Sequence, residues 1–126
     1  MSEIYLEHVN ITVRDPKETA ALYCKLFGWK IRWQGDAKSG GHTIHVGGKN
    51  SYVALYTKGD YAPAPDSYSH IGGINHIAVI VDDLDAMEER VRAAGCEIHS
   101  HADYEPGRRF YFNDPDAVEV EVVSYA

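Results

Sequence analysis

The sequence predicts an α+β fold, two tandem βαβββ modules forming a curved mixed sheet with the helices on its outer face. Three observations carry that prediction. A His-bearing apolar run, "LEHVNITVRD" from Leu6, recurs as "INHIAVIVDD", so that His76 repeats His8 sixty-eight residues on. Each run leads into a helical pattern that opens on an acidic cap and closes on glycine. Each helical pattern is followed by three short strand-like runs separated by turn residues.

The elements follow in order. His8, Asn10 and Thr12 alternate with Val9, Ile11 and Val13, the period of a strand with two chemically different faces. Asp15 is placed to cap a helix, with Pro16 at its first position, Glu18 in a capping-box position and Gly28 as its stop. Leu22, Tyr23, Leu26 and Phe27 form the apolar stripe of that helix. Strands are expected over residues 30–34, 42–46 and 52–56. The Pro- and Gly-bearing stretch "KGDYAPAPDSYSHIGG" reads as a linker over about 58–73, between a first module at about 4–57 and a second at about 74–124. The second module repeats the order. A strand is expected over 74–81 and a helix over about 83–94, with Leu84, Met87, Val91 and Ala94 on one side. Gly95 follows, then strands near 97–101, 109–112 and 118–123. Aligning the modules places Gly41 on Gly107, Val53 on Val120 and Ala54 on Glu121.

A chain of 126 residues is within the size of one compact domain, so both modules are expected in a single domain. Twelve Lys and Arg against 19 Asp and Glu leave a formal charge of -7, which repels polyanions and excludes nonspecific binding to nucleic acid or to anionic membrane surfaces. No apolar run approaches the roughly 20 residues of a membrane span, and the start Met1-Ser2-Glu3 lacks a basic signal-peptide head. A cytoplasmic location is expected. Cys24 and Cys96 lack metal or disulfide spacing and read as small buried hydrophobes.

Helices on one face of a sheet draw the apolar strand positions beneath them and leave the alternate positions on the open, concave face. His8 and Asn10, His76 and Ala78, and Glu119 and Glu121 then share that concave face. Two histidines and a carboxylate in one cleft form a ligand set for a divalent transition metal, because imidazole nitrogen and carboxylate oxygen suit Zn, Ni, Co, Mn and Fe. His45, Tyr52, Tyr56, Arg109 and Tyr111 have the same parity and are substrate-binding candidates together with Asn10. His42, His70, His99 and His101 receive no role.

At these positions the sequence resembles the vicinal oxygen chelate family of glyoxalases, bleomycin-resistance proteins and extradiol dioxygenases. The resemblance rests on "EHVNITV" with Gly28-Trp29 after its helix, on "NHIAVIVDDLDAMEERVRAAG", and on "FYFNDPDAVEVEVV", which is similar to the family's aromatic-DPDG-xxxE ending. It implies a glyoxalase-like fold with His8, His76 and Glu121 as ligands of one divalent metal per site. Ala117 stands where the family has a turn glycine, and Ala54 stands where glyoxalase I carries a further ligand. A three-ligand site of that kind is similar to those of fosfomycin-resistance proteins and dioxygenases. The family commonly pairs two chains, so the resemblance also implies a homodimer with a cleft shared between chains.

The reaction expected from this resemblance is Lewis-acid chemistry on a small oxygen-chelating substrate, of lyase, isomerase or transferase type. Glu121 is the metal-bound catalytic carboxylate and Glu119 the candidate base or ligand-orienting group. Two other readings compete, a ring-cleaving dioxygenase using Fe or Mn and a metal-free binder that sequesters its ligand.

Overall fold

A computed structural model describes residues 2–126. It consists of two compact units, one ending at Ala62 and the other beginning at Pro63, each a four-stranded mixed sheet with one helix against it. The α+β class and the tandem modules are as the sequence predicts.

In the first unit β1 (His8–Thr12) runs parallel to β4 (Tyr52–Thr57), and β3 (His42–Gly47) and β2 (Lys30–Asp36) continue the sheet antiparallel, in the order β1-β4-β3-β2. Helix α1 (Pro16–Phe27) starts where Asp15 accepts a hydrogen bond from Lys17 N and ends at Gly28, whose φ of 68° is the left-handed cap that glycine adopts without strain. Tyr23 and Leu26 of α1 are buried with Ile44, Val46, Val53 and Leu55, the helix-facing positions of β3 and β4. The stripe is rotated from the expected one, since Thr19 and Ala20 are buried while Leu22 and Phe27 are half-buried. A short 3-10 turn, Lys38–Gly40, joins β2 to β3.

The second unit repeats this topology. β5 (Ile77–Ile80) is parallel to β8 (Glu119–Ser124), followed by β7 (Gly107–Asn113) and β6 (Glu97–Tyr104), in the order β5-β8-β7-β6. Helix α2 (Leu84–Ala93) begins at Asp83, which accepts from Ala86 N, and buries Leu84, Met87 and Val91 toward a core of Phe110, Phe112, Val120 and Val122. β5 is shorter than expected and leaves His76 one residue outside it, the first ladder pair being Ile77 with Val120.

The repeat is register-true. Ala54 pairs with Asn10 and His45, and Glu121 pairs with Ala78 and Tyr111. Gly41 and Gly107 have the same steric cause in both units. A Cβ at Gly41 would stand 2.6 Å from the Thr57 carbonyl oxygen, and one at Gly107 would stand 2.2 Å from that of Ser124. Cys24 and Cys96 are free thiols, each only partly buried. Among the described residues no helix is long and apolar enough to cross a membrane.

Candidate functional site

The open face of the second sheet carries a connected set of polar groups. Glu121 lies on β8 at 6% exposure, with Oε2 accepting from Arg109 Nη1 at 2.9 Å and Oε1 3.0 Å from His76 Nε2. Arg109, on the neighbouring β7, also donates through Nε and Nη2 to the Gly107 carbonyl and lies over the Tyr104 ring. The parity expected for Arg109 is correct, yet its guanidinium is committed to Glu121 and to the backbone.

The far side of the His76 ring is equally occupied. Its Nδ1 is 3.3 Å from Glu119 Oε2 and 3.4 Å from the Tyr68 hydroxyl, which itself donates to Glu119 Oε2 at 2.5 Å. The other Glu119 oxygen is 3.7 Å from His99 Nε2. Tyr111 packs edge-on to His76 and stacks on His99. Desolvation, and then the Glu121 charge, raise the Tyr111 phenol above its ordinary value. The Tyr68 phenol is pushed up to about 12, chiefly by its hydrogen bond to Glu119. Both phenols are therefore neutral donors at physiological pH.

Sequence reasoning gave neither Tyr68 nor His99 a place. Tyr68 lies in the segment read as a featureless linker, where Ser67–Ser69 form a 3-10 turn capped by Asp66. His99 lies at the bulge between Ile98 and Ser100, where the two-residue alternation of β6 fails.

On the first sheet the open face is aromatic. His8 stacks on Tyr52 with ring centres 4.8 Å apart, Tyr52 stacks on His45 at 4.4 Å, and Trp33 lies 5.2 Å beyond His45. Arg32 covers the Tyr52 ring. Glu7 Oε1 is 2.9 Å from His8 Nδ1 and accepts from the Tyr52 hydroxyl, and the His8 contact is the main cause of its lowered carboxyl value. His45 is held below the ordinary imidazole value, first by burial and then by the charges of His8 and Arg32. Asn10 is exposed on β1, and Tyr56 donates its hydroxyl to the Lys38 carbonyl. Ala54 is 2% exposed beside them.

Of the expected ligands, His76 and Glu121 are adjacent in the second unit and His8 belongs to the first. Among the described residues no group of three His, Cys, Asp or Glu side chains is arranged to hold a metal ion. The His76 and Glu121 pair does fit two of the positions a metal needs. Donors bound at about 2.1 Å and at right angles around one ion lie about 3.0 Å apart, which is the separation of Nε2 and Oε1.

The family model of the Glyoxalase/Bleomycin resistance protein/Dioxygenase superfamily matches residues 5–122, and the chain belongs to that family. The Escherichia coli (strain K12) protein YaeR is 26% identical over 93% of each chain. A glyoxalase/bleomycin resistance protein/dioxygenase domain from Frankia sp. EAN1pec superposes with a TM-score of 0.81 at 22% identity, covering 98% of this chain and 93% of that one. A variant of the fosfomycin resistance protein FosX from Listeria monocytogenes, complexed with Mn(II) and 1S,2S-dihydroxypropylphosphonic acid, gives a TM-score of 0.76 at 21% identity over 97% of this chain and 93% of that one.

Proposed function

We propose that the chain is a divalent-metal-dependent enzyme acting on a small oxygen-chelating substrate, with His8, His76 and Glu121 as the metal ligands. The observation that carries this reading is the approach of His76 Nε2 to the buried Glu121 Oε1. Glu119 Oε2 and the Tyr68 oxygen, whose proton is given to Glu119, both face Nδ1 as acceptors. With a cation bound at Nε2, the ring proton would lie on Nδ1, toward Glu119 and the Tyr68 oxygen. The lone pairs of Nε2 and Oε1 at that distance are stabilised by a cation between them. A carboxylate behind a metal-binding imidazole is the usual device for fixing the ligating nitrogen.

The bound ion would supply a Lewis acid for charge developing on a substrate oxygen. The chain's own groups set the rest. Arg109 occupies Glu121 Oε2, so Oε1, facing His76, is the oxygen that would take the ion. Tyr111 presents a neutral hydroxyl, and Asn10, His45 and Tyr52 offer polar and aromatic contacts for substrate. Glu119, already engaged with Tyr68 and His76, orients the histidine rather than acting as a free base. The Mn(II) complex of FosX with a vicinal dihydroxy ligand supports the choice of an oxygen chelate.

A homodimer belongs to the same proposal. Leu6, Ile71, Ile74 and Ile80 are exposed by 86%, 109%, 72% and 65% and would be covered in such a pairing. The test is elemental analysis and Mn(II), Ni(II) and Zn(II) titration of purified protein, with light scattering on the same sample. One ion per chain is expected, lost in His76→Ala and in Glu121→Gln. Full occupancy in both variants would refute the ligand assignment.

A further inference from the structure

We propose that Trp33 and Arg32 form a substrate-selecting subsite for an aryl anion, a flat ring that carries a carboxylate. Calling that anion a substrate rests on the function proposed above, whereas the binding itself does not.

Both side chains are delivered by one irregularity in β2. Its register with β3 slips between Ile31 and Trp33, so Arg32 is the extra residue of a bulge and Trp33 pairs with His45 across the ladder. A bulge re-aims a side chain out of the strand alternation, a device common beside active sites. Arg32 and Trp33 therefore both reach the aromatic face of the first sheet. The guanidinium lies 4.7 Å from the Tyr52 ring centre, the indole 5.2 Å from that of His45, and His45 stacks on Tyr52 between them. Two glycines make the room. A Cβ at Gly35 would stand 2.9 Å from the Trp33 indole, which lies over that residue, and one at Gly47 would stand 2.6 Å from the Tyr52 Cβ.

The fold itself requires neither side chain. Trp33 is 53% exposed and Arg32 is exposed beside it. The second unit forms the same bulge between Ile98 and Ser100 with a histidine and a serine at the two places. An indole open to water next to a guanidinium is complementary to a ligand that has both a π face and a negative charge, the first stacking on the indole and the second pairing with the cation. Arg32 is available for that pairing. Among the described residues no carboxylate forms an ion pair with it, and Glu7 on the same face is taken by His8 Nδ1 and the Tyr52 hydroxyl. In a chain of formal charge -7 this cation gives an anion a local attraction that the molecule as a whole does not.

The test is nitrogen–proton NMR of the metal-free protein at pH 7, following the indole N–H signals of the two tryptophans. The probes are benzoate, its uncharged analogue benzyl alcohol and its non-aromatic analogue cyclohexanecarboxylate. Benzoate should shift the Trp33 signal saturably and leave Trp29, packed on Tyr23 and Phe27, unmoved. Each analogue should bind about three- to fivefold more weakly, the factor that one exposed ring or cation contact supplies. Arg32→Gln should abolish the preference over benzyl alcohol, and Trp33→Leu, followed at the His45 ring, the preference over cyclohexanecarboxylate. No Trp33 shift with benzoate, equal affinities for the three probes, or a preference that survives its variant would overturn the proposal. Selective benzoate binding by a protein that takes up no Mn(II) would refute the metal reading and support this one, and Mn(II) uptake without benzoate binding would do the reverse.

Discussion

Arg109→Met should be among the most destabilising single changes in the second unit, and its cost follows from the geometry. Arg109 and Glu121 are paired at 2.9 Å with side chains 10% and 8% exposed, so the carboxylate has almost no access to water. Removing one member of a buried ion pair costs about 3–5 kcal/mol, because the remaining charge has lost its partner and cannot be rehydrated. His76 still faces Oε1, which places the expected loss near the lower limit, about 3 kcal/mol. Unfolding entropy is about 2.1 cal/mol/K per residue, or about 0.26 kcal/mol/K for the chain, so the melting temperature should fall by about 11 °C. The fall roughly doubles if the second unit melts alone. Methionine keeps much of the volume of the arginine stem, so the measured loss reports charge more than cavity.

The assay is calorimetric melting at neutral pH of the parent, Arg109→Met, Glu121→Gln and the double variant. Neutralising Glu121 removes the stranded charge, so the double variant should regain most of the loss and melt within a few degrees of Glu121→Gln alone. An Arg109→Met protein melting within about 2 °C of the parent, well under one kcal/mol by the same conversion, would mean that Glu121 is hydrated and the buried-pair argument wrong.

Three further outcomes are expected. His45 should titrate below its ordinary imidazole value in NMR. Since its folded value is depressed, its contribution to stability is present above the unfolded value, near 6.5, and is lost as pH falls through the folded value; His45→Gln should flatten that acid limb of the melting curve. Ala54→Glu buries a carboxylate that has no arginine beside it, so it should melt below Ala54→Gln at pH 7, with the gap closing toward pH 4 as the new group protonates; equal melting at both pH values would show residue 54 to be wet. Ala117 holds a φ of 63° in the turn after Asp114, where the Asp114 carboxylate accepts from Asp116 N and Val118 N. Ala117→Gly should therefore stabilise by about 0.5–1 kcal/mol, and a destabilised glycine variant in chemical denaturation would contradict that strain.

What was legible in the sequence is what alternation and punctuation encode. Asp15, Pro16 and Gly28 mark α1 because capping chemistry is local, and the match of Ala54 to Glu121 follows from strand parity once the modules are aligned. Parity also put Arg109 on the open face, but it says nothing of range. A guanidinium that could reach substrate can equally turn to the carboxylate on the adjacent strand, as it does here. Tyr68 was illegible for a different reason. Its contact with Glu119 spans 51 residues and depends on a strap folded by Asp66, His70 and Gly73, residue types that in sequence spell only a turn. His99 was hidden by a bulge, which breaks the period on which the reading of a strand depends.

The two units differ most where the site proposal needs them to. Register equates Thr43 with Arg109, His45 with Tyr111, Tyr52 with Glu119 and Ala54 with Glu121. The first unit thus lacks both members of the buried ion pair at once, and among the described residues Thr43 Oγ1 is left buried without a hydrogen-bond partner at the arginine's place. That joint loss is what the electrostatics require, since a buried carboxylate at 54 without an arginine at 43, or the reverse, would leave an unpaired charge in the sheet. The histidine alone persists in both units, and each keeps a carboxylate on Nδ1, supplied by Glu7 for His8 and by Glu119 for His76. Orientation of Nε2 is therefore retained from two different directions of the chain, while the buried carboxylate is kept only in the second unit. Each unit thus keeps a histidine with a carboxylate at Nδ1, and the second alone adds the buried carboxylate with its arginine.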